Sequence, residues 1–325
     1  MNILKAMLRM LFVFVAFAAS PVTAWAQQYP NHPIKLIVPF APGGNTDVAG
    51  RLIADGIGQG LGQTIIVENK PGAGASIGAE LAAKAPPDGY TLLLASDAQN
   101  INPAIYTTLH HDIIKDFEPV GLAMVTTLVL VASNSSGIHS VADLITEAKA
   151  KPGKVTYSSA GVGSGSHMAG ALFDQAANIK TLHVPYKGSG PATTAVVAGE
   201  VDITYTSLAA TVPFYKEKKL QALAITGKDP SPLFPGVPTT ESLGFKGYEA
   251  GDHIGLLAPK GTPKNVIDRL NTELNKWLSK PETKARLEQL GFTPRSSTPA
   301  EYGAFIRSEV AKWDKTAKTG NIKVE

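Results

Sequence analysis

The chain has 325 residues, a formal net charge of +3 and no cysteine. A charge this small gives no support for nucleic-acid binding, and the lack of cysteine excludes a disulfide framework, a thiolate metal site and a lipidated cysteine. The length is sufficient for a sizeable core and suggests about two domains.

The N-terminal residues have the pattern of a secretory signal. Lys5 and Arg9 precede an apolar run from Met10 to Ala19, and Ala24-Trp25-Ala26 is a small-x-small cleavage site. We expect cleavage near Ala26, removing the signal peptide of residues 1–26. The apolar run is short for a membrane span, so a retained anchor is the weaker alternative. In a Gram-negative cell the mature protein is expected in the periplasm.

Short β-rich runs alternate with helical patterns in the first part of the mature chain. Strands are predicted at residues 34–40, 64–68 and 91–95, and helices at residues 47–61 and 77–85. This alternation predicts βαβ units and a parallel sheet.

The segment 117–133 is nearly uncharged after Glu118 and is longer than an ordinary strand. We interpret it as leaving one sheet and entering another. The alternation then restarts, with helices beginning near Ser166 and Gly190. The strands predicted for this part are residues 155–159, 181–186, 201–206 and a returning strand at 220–226.

The last part of the chain is mainly helical. Pro263, Pro281 and Gly291 fit helix starts and a helix stop. The predicted elements are a strand at 254–258 and helices at 263–278, 281–290 and 299–318. We therefore predict an α/β protein in which two α/β domains are joined by two crossing strands, with a ligand cleft between them. Domain 1 comprises residues 27–127 and 224–325, and domain 2 comprises residues 128–223.

Two strand-to-helix junctions carry the strongest chemical signal. The first runs from Gly43 to Asp47, and the second is the Ser- and Gly-rich run from Ser158 to His167. Free backbone N–H groups at a helix start attract anions, and ligands in open α/β sheets bind beyond the carboxyl ends of strands. A pair of such junctions suits a small molecule that carries carboxylates, so we interpret the chain as a binding protein before an enzyme.

Six motifs, in their order along the chain, resemble those of the substrate-binding proteins of tripartite tricarboxylate transporters, also called Bug-type or TctC-like receptors. The motifs lie at residues 38–47, 61–74, 87–92, 157–167, 184–188 and 258–263, and the resemblance covers essentially the whole mature chain. It implies the type II periplasmic binding-protein fold, a small organic carboxylate held between the two junctions, and a two-component membrane permease as the partner. We expect a monomer that has no cofactor, no built-in metal and no nucleic-acid partner.

The candidate ligand-binding residues come from the junctions, from predicted strand ends and from the resemblance. Tyr186 ends a predicted strand and offers a ring and a hydroxyl group, and His253 stands where the family commonly has Trp, so it is expected to affect ligand choice. A second departure is that residues 227–230 lack the usual Arg. The candidates are Ala41, Gly43, Gly44, Asn45, Thr46, Asp47, Ser96, Asp97, Ser158, Ser159, Gly163, Ser164, Gly165, Ser166, His167, Tyr186, Thr206, Ser207 and His253.

Some of these residues have structural alternatives. Gly43 and Gly44 suit a simple turn as well as an anion seat. Asp47 would repel an anionic ligand, so capping the helix or orienting the loop is favoured for it. His167 is expected in the first turn of a helix, where an uncharged imidazole packs, forms a hydrogen bond or contacts the ligand.

Two other functions stay open beside transport. A ligand-sensing partner of a signalling system would use the same fold. A hydrolase built on Ser164 or Ser166 is weaker, because the sequence has no nucleophile elbow, dinucleotide fingerprint or P-loop pattern. For the binding protein we expect hinge closure near residues 126–128 and 223–226. The ligand classes that remain open are aliphatic di- or tricarboxylates, amino acids, nicotinate-like rings and aromatic dicarboxylates.

Overall fold

A parallel βαβ arrangement forms the first part of the chain, as the alternation predicts. The computed structural model describes residues 29–248, 250–320 and 322–323, and the predicted signal with its cleavage site lies outside them. Strand β1 pairs in parallel with β2 on one side and β3 on the other. The elements are β1 (Ile34–Val38), α1 (Asn45–Leu61), β2 (Ile65–Asn69), α2 (Ser76–Ala83), β3 (Thr91–Ala95) and α3 (Asp97–Ile105).

A single long strand, β4 (Phe117–Ser133), carries the chain from the first group of strands into a second. Its first half pairs antiparallel with β9 (Gly251–Pro259) and β10 (Phe292–Pro294). Its second half pairs antiparallel with β7 (Ile203–Ser207) and β8 (Leu220–Ile225). The change of partners at Thr127 and Leu128 confirms the predicted crossing strand.

The second group repeats the alternation. Strand β5 pairs in parallel with β6 and β7. Glycines in the left-handed conformation end several helices, for example Gly62 after α1 and Gly199 after α6. The further elements of this group are α4 (Val141–Ala150), β5 (Thr156–Ser159), α5 (Gly165–Ala177), β6 (Leu182–Pro185), α6 (Ser189–Ala198) and α7 (Leu208–Lys216).

The chain returns to the first group later than the sequence predicts. Strand β8 stays with β4 in the second group, and Phe234, Tyr248 and Ala250 also pack in that group's apolar clusters. The return crossing therefore lies at Ala250 and Gly251, where β9 begins, rather than near residues 223–226. The Pro- and Gly-rich composition after residue 229 concealed these buried aromatic residues.

The remaining helices cover the first group. Pro263 precedes α8 and Pro281 is the first residue of α9, where the missing N–H costs nothing. These helices are α8 (Lys264–Ser279), α9 (Pro281–Gln289) and α10 (Pro299–Gly320). The strand order is β2-β1-β3-β9-β4-β7-β5-β6, with β8 and β10 also pairing with β4. Among the helices of the described ranges, none combines the length and the apolar character that crossing a bilayer requires.

Candidate functional site

Five helices begin at one cavity that lies between the two groups of strands. In both groups of strands, the helices that follow parallel strands start at the carboxyl ends of those strands, and these ends face a common space. The cavity is lined by the N-cap residues of α1, α3, α5 and α7 and by the first residue of α6, which are Gly44, Ser96, Ser164, Ser207 and Ser189. Each helix start contributes free N–H groups and a partial positive charge.

At the first junction, Gly44 is the N-cap of α1 and supplies no side chain for capping. The Asn45 N–H donates to Ser189 Oγ over 3.1 Å, which joins the first group of strands to the second. Asn45 is buried and lines the cavity, and its side-chain oxygen has no hydrogen-bond partner in the protein. That oxygen is therefore available to a bound molecule.

Asp47 holds the first junction in shape and does not line the cavity. Its carboxylate accepts from the Gly43 N–H over 2.9 Å, from Asn69 Nδ2 over 2.9 Å and from Arg51 over 2.9 and 3.0 Å. Burial raises the pKa of Asp47, but the hydrogen bonds from Arg51, Gly43 and Asn69 outweigh burial and leave the pKa below its usual value. Gly43 has a positive φ of 83°, so it is the glycine that this loop requires. Asp47 thus orients the loop, which is the alternative favoured from the sequence.

At the second junction, hydroxyl groups bind the loop to itself. Ser164 Oγ accepts from the His167 N–H over 3.3 Å and donates to the Gly161 carbonyl over 2.6 Å. Ser166 Oγ accepts from the Ala160 N–H over 2.9 Å. These bonds leave the start of α5 directed at the cavity, where Ser164, Gly165 and Ser166 form part of the wall.

His167 packs behind this wall as an uncharged ring. Its Nδ1 accepts from the Gly163 N–H over 3.2 Å, and its ring stacks on His183 with centroids 4.1 Å apart. Burial lowers the pKa of His167 to about 4. Burial, together with His167, lowers the pKa of His183 to about 3, and His183 Nε2 lies 2.6 Å from Ser159 Oγ. Neither ring serves as a base for Ser164 or Ser166.

A hydrogen-bonded cluster lies where β9 meets the start of α3. Asp252 Oδ1 accepts from the Asp97 N–H over 2.8 Å, and Asp97 Oδ1 lies 2.5 Å from His253 Nδ1. Asp252 lines the cavity, whereas Asp97 and His253 line a second cavity beside the crossing strands, and Asp252 contributes to that cavity as well. These side chains could offer one metal-binding atom each, but Nδ1 of His253 is already engaged by Asp97.

The structure brings about half of the candidate residues to the cavity. Those that line it are Gly44, Asn45, Thr46, Ser96, Ser164, Gly165, Ser166, Thr206 and Ser207. The other candidates lie behind or beside the wall, and they are Ala41, Gly43, Asp47, Asp97, Ser158, Ser159, Gly163, His167, Tyr186 and His253.

Specific contacts explain these outer positions. Ser158 Oγ donates to the Ala192 carbonyl. Ala41 lies against Gly188, where an added Cβ would be 3.7 Å from Ala41 Cβ. The Tyr186 ring packs with the apolar cluster of the second group instead of facing the cavity. His253 is buried against Tyr302 and Phe305 of α10 and does not line this cavity.

Five lining residues are missing from the sequence-based set. They are Phe40, Leu128, Ala160, Ser189 and Asp252. Ser189 carried a usable signal, because it opens a helix directly after a strand, as the residues of the two recognised junctions do. Phe40 and Leu128 are apolar and Asp252 is a carboxylate, so residue type alone did not mark them as residues of an anion site.

Comparison with known proteins gives a consistent result. A family model described as "Tripartite tricarboxylate transporter family receptor" matches residues 49–322. Protein BugT of Bordetella pertussis is 34% identical, with 97% of each chain covered. The solved structure "R. palustris Rpa4515 with adipate" is 32% identical with a TM-score of 0.88, covering 91% of this chain and 99% of the other. The structure "MatC (Rpa3494) from Rhodopseudomonas palustris with bound malate" is 30% identical with a TM-score of 0.84, covering 89% and 99%.

Proposed function

We propose that this chain, which belongs to the receptor family of tripartite tricarboxylate transporters, captures a small organic carboxylate and delivers it to a membrane permease. Membership of this family makes the chain a periplasmic solute-binding receptor and not an enzyme. The observation that carries the ligand class is the convergence of five helix starts on one cavity. Two structural relatives were solved with adipate and with bound malate, which supports an aliphatic carboxylate for this chain as well.

The cavity favours an anion through neutral donors. Asp252 is the only ionisable side chain among its described lining residues, so no Arg or Lys pairs with the ligand there. Backbone N–H groups at helix starts, together with Ser and Thr hydroxyl groups, would surround the carboxylate oxygens. Phe40 and Leu128 give the same cavity an apolar wall, which suits the carbon chain between two carboxylates.

We propose that the two groups of strands are two lobes that close on the ligand about the crossing segments. The hinge would lie at Thr127–Leu128 and at Ala250–Gly251. Thr226 links the two segments, because its Oγ1 accepts from the Leu128 N–H over 2.9 Å and contacts the Ala250 carbonyl. Contacts such as Asn45 with Ser189 join the lobes in the closed form, which the ligand then selects.

The test begins with a thermal-shift screen of the mature protein, residues 27–325. We expect succinate, malate, adipate, citrate or terephthalate to raise the melting temperature, while glucose and putrescine leave it unchanged, because only an anion gains from the helix starts. Uptake of the labelled acid by cells that lack the gene, compared with complemented cells, tests delivery. Binding without any loss of uptake would favour the sensing role.

A Gly44→Val variant examines the first junction directly. Gly44 has a φ of −83° and a ψ of 172°, which valine adopts without strain, and its added Cβ would lie 3.1 Å from Ser189 Oγ. The valine methyl groups would stand between the ligand and the N–H groups of α1. We expect calorimetric affinity to fall by about 2 kcal/mol or more, from a lost desolvated donor, with little change in the free energy of unfolding. Unchanged affinity would remove the first junction from the site.

A further inference from the structure

Asp252 occupies a position that an anion would be expected to occupy. Its Oδ1 accepts from the N–H of Asp97, the first residue of α3, over 2.8 Å. A Cβ added to Gly165, the first residue of α5, would lie 3.8 Å from Asp252 Cβ. The carboxyl group thus lies beside two of the helix starts that we assign to the ligand.

Asp252 forms no salt bridge within the described part of the chain, although its neighbour His253 attracts its charge. Asp97 has the imidazole of His253 at 2.5 Å, whereas Asp252 takes part in no ion pair there. Asp252 is partly buried and lines the cavity itself. A carboxylate ligand would therefore meet a partly buried carboxylate that has no salt-bridge partner, an arrangement that strongly favours one shared proton.

We propose that Asp252 is a ligand-contacting residue that is protonated in the complex, so that its O–H donates to a ligand carboxylate, and that an anion binding to the deprotonated protein is captured together with one proton from solvent. This inference rests on the proposed function, because it requires an anionic ligand in the cavity. It assigns Asp252 a role in specificity, because a ligand carboxylate can lie beside the Asp252 carboxyl group only while Asp252 carries a proton.

The surrounding charges support this assignment. Asp97 faces Asp252 from α3, His253 is its neighbour on β9, and Tyr302 and Glu309 approach the cluster from α10. Across the second cavity lie the exposed cations Lys228 and Arg295, with Lys312, and the exposed carboxylate Asp229. Burial first, and then the charge of Asp97, raise the pKa of Asp252 to about 7, although His253 acts in the opposite direction.

The direction of the pH effect follows from this pKa. Below about pH 7 the free protein already carries the proton, so binding takes up none. Above that pH the free protein has lost the proton and must regain it, so affinity falls about tenfold for each further pH unit. Carboxylic acids are ionised throughout the range above about pH 6.5, so the ligand does not contribute to this slope.

The experiment is isothermal titration calorimetry with adipate and malate as probes, between pH 6.5 and 9. At pH 8.5, two buffers with different ionisation enthalpies give the number of protons taken up. We expect uptake close to one proton for the wild type and an affinity about 16-fold lower than at pH 7. Asp252→Asn keeps the oxygen that accepts the Asp97 N–H, so we expect it to take up no proton, to bind independently of pH and to bind more tightly than the wild type at pH 8.5. Asp229→Asn, on the exposed rim of the second cavity, is the matched control and should titrate like the wild type.

Each outcome decides between the possibilities. Wild-type binding without proton uptake at pH 8.5 overturns the inference and leaves the proposed function intact, and this measurement does not depend on any variant folding. An Asp252→Asn protein with the wild-type pH profile also overturns it, because His253 would then be the group that titrates. A wild type that binds neither acid at any pH would refute both this inference and its premise of an aliphatic carboxylate ligand.

Discussion

Closure of the lobes can be tested at Gly163, where the second junction meets the first lobe. Gly163 has a φ of 78°, and an added Cβ would lie 2.4 Å from Asn102 Oδ1 in α3. Asn102 has little freedom to move, because its Nδ2 donates to the Gly74 carbonyl and to Ser76 Oγ, each over 2.9 Å. Gly163→Ala should therefore penalise the closed form specifically.

Two separate terms give the magnitude. The left-handed backbone costs about 1–2 kcal/mol for alanine in either form of the protein. The collision with Asn102 costs about 1–3 kcal/mol, as in other overpacked sites, and acts only when the lobes are closed. We therefore expect ligand affinity to fall by about 5- to 150-fold, since about 1.4 kcal/mol corresponds to a factor of ten.

Calorimetric affinity and urea unfolding, measured on the same samples, separate the two terms. Gly236→Ala is the matched control, because Gly236 has a φ of 80° and no heavy atom within 4 Å of the added Cβ. It should lose about 1–2 kcal/mol of unfolding free energy with no change in affinity. The double variant Asn102→Ala/Gly163→Ala should recover most of the affinity. Equal affinity of Gly163→Ala and the wild type would show that this contact does not form on closure.

Two further results are expected. Ser189→Ala removes the acceptor of the Asn45 N–H and should weaken ligand binding by about 0.5–1.5 kcal/mol, or about 2- to 12-fold; a variant with full affinity would show that this bond makes no contribution to closure. The free energy of unfolding should decrease as pH falls from about 6.5 toward 4. Burial keeps the pKa values of His167 and His183 at about 4 and about 3 in the folded protein, whereas the same imidazoles take up protons near pH 6.5 in the unfolded chain. Urea unfolding across that range should show a smaller decrease for His183→Gln, and an identical decrease would assign the effect to other groups.

Much of the fold could be predicted from the sequence because local patterns and tertiary pairing agree. The alternation of short apolar strands with helices gave the parallel strands β1 to β3 and β5 to β7, and Pro263 and Pro281 gave two helix starts. The unusual length of β4 identified it as a crossing strand. The return crossing was misplaced because β8 looks like any other apolar strand, and only its pairing with the second half of β4 shows which lobe contains it.

The residues that line the cavity were predictable where they belong to a backbone motif, and less so where a side chain alone decides. Gly44, Ser164 and Gly165 open helices after strands, so the motif itself placed them at the cavity. His253 shows the limit of position-by-position inference. Its neighbour Asp252 lines the cavity instead. Adjacent residues of a strand point to opposite faces, but the strand sequence alone does not determine which of the two faces meets a cavity formed by other elements.

The proposed site would therefore combine two kinds of recognition with different origins. Parallel strands followed by helices necessarily bring helix N-termini to one edge, so the proposed preference for an anion would come from the topology itself. That preference does not distinguish one organic acid from another, since every carboxylate presents the same oxygens to an N–H group. Discrimination must come from side chains that differ in shape or charge, and among the lining residues those are Phe40, Leu128 and Asp252. In the proposed receptor, Phe40 and Leu128 would limit the carbon skeleton and Asp252 would determine whether a second carboxylate can approach without a proton, so ligand identity would depend on residues other than those that open the helices.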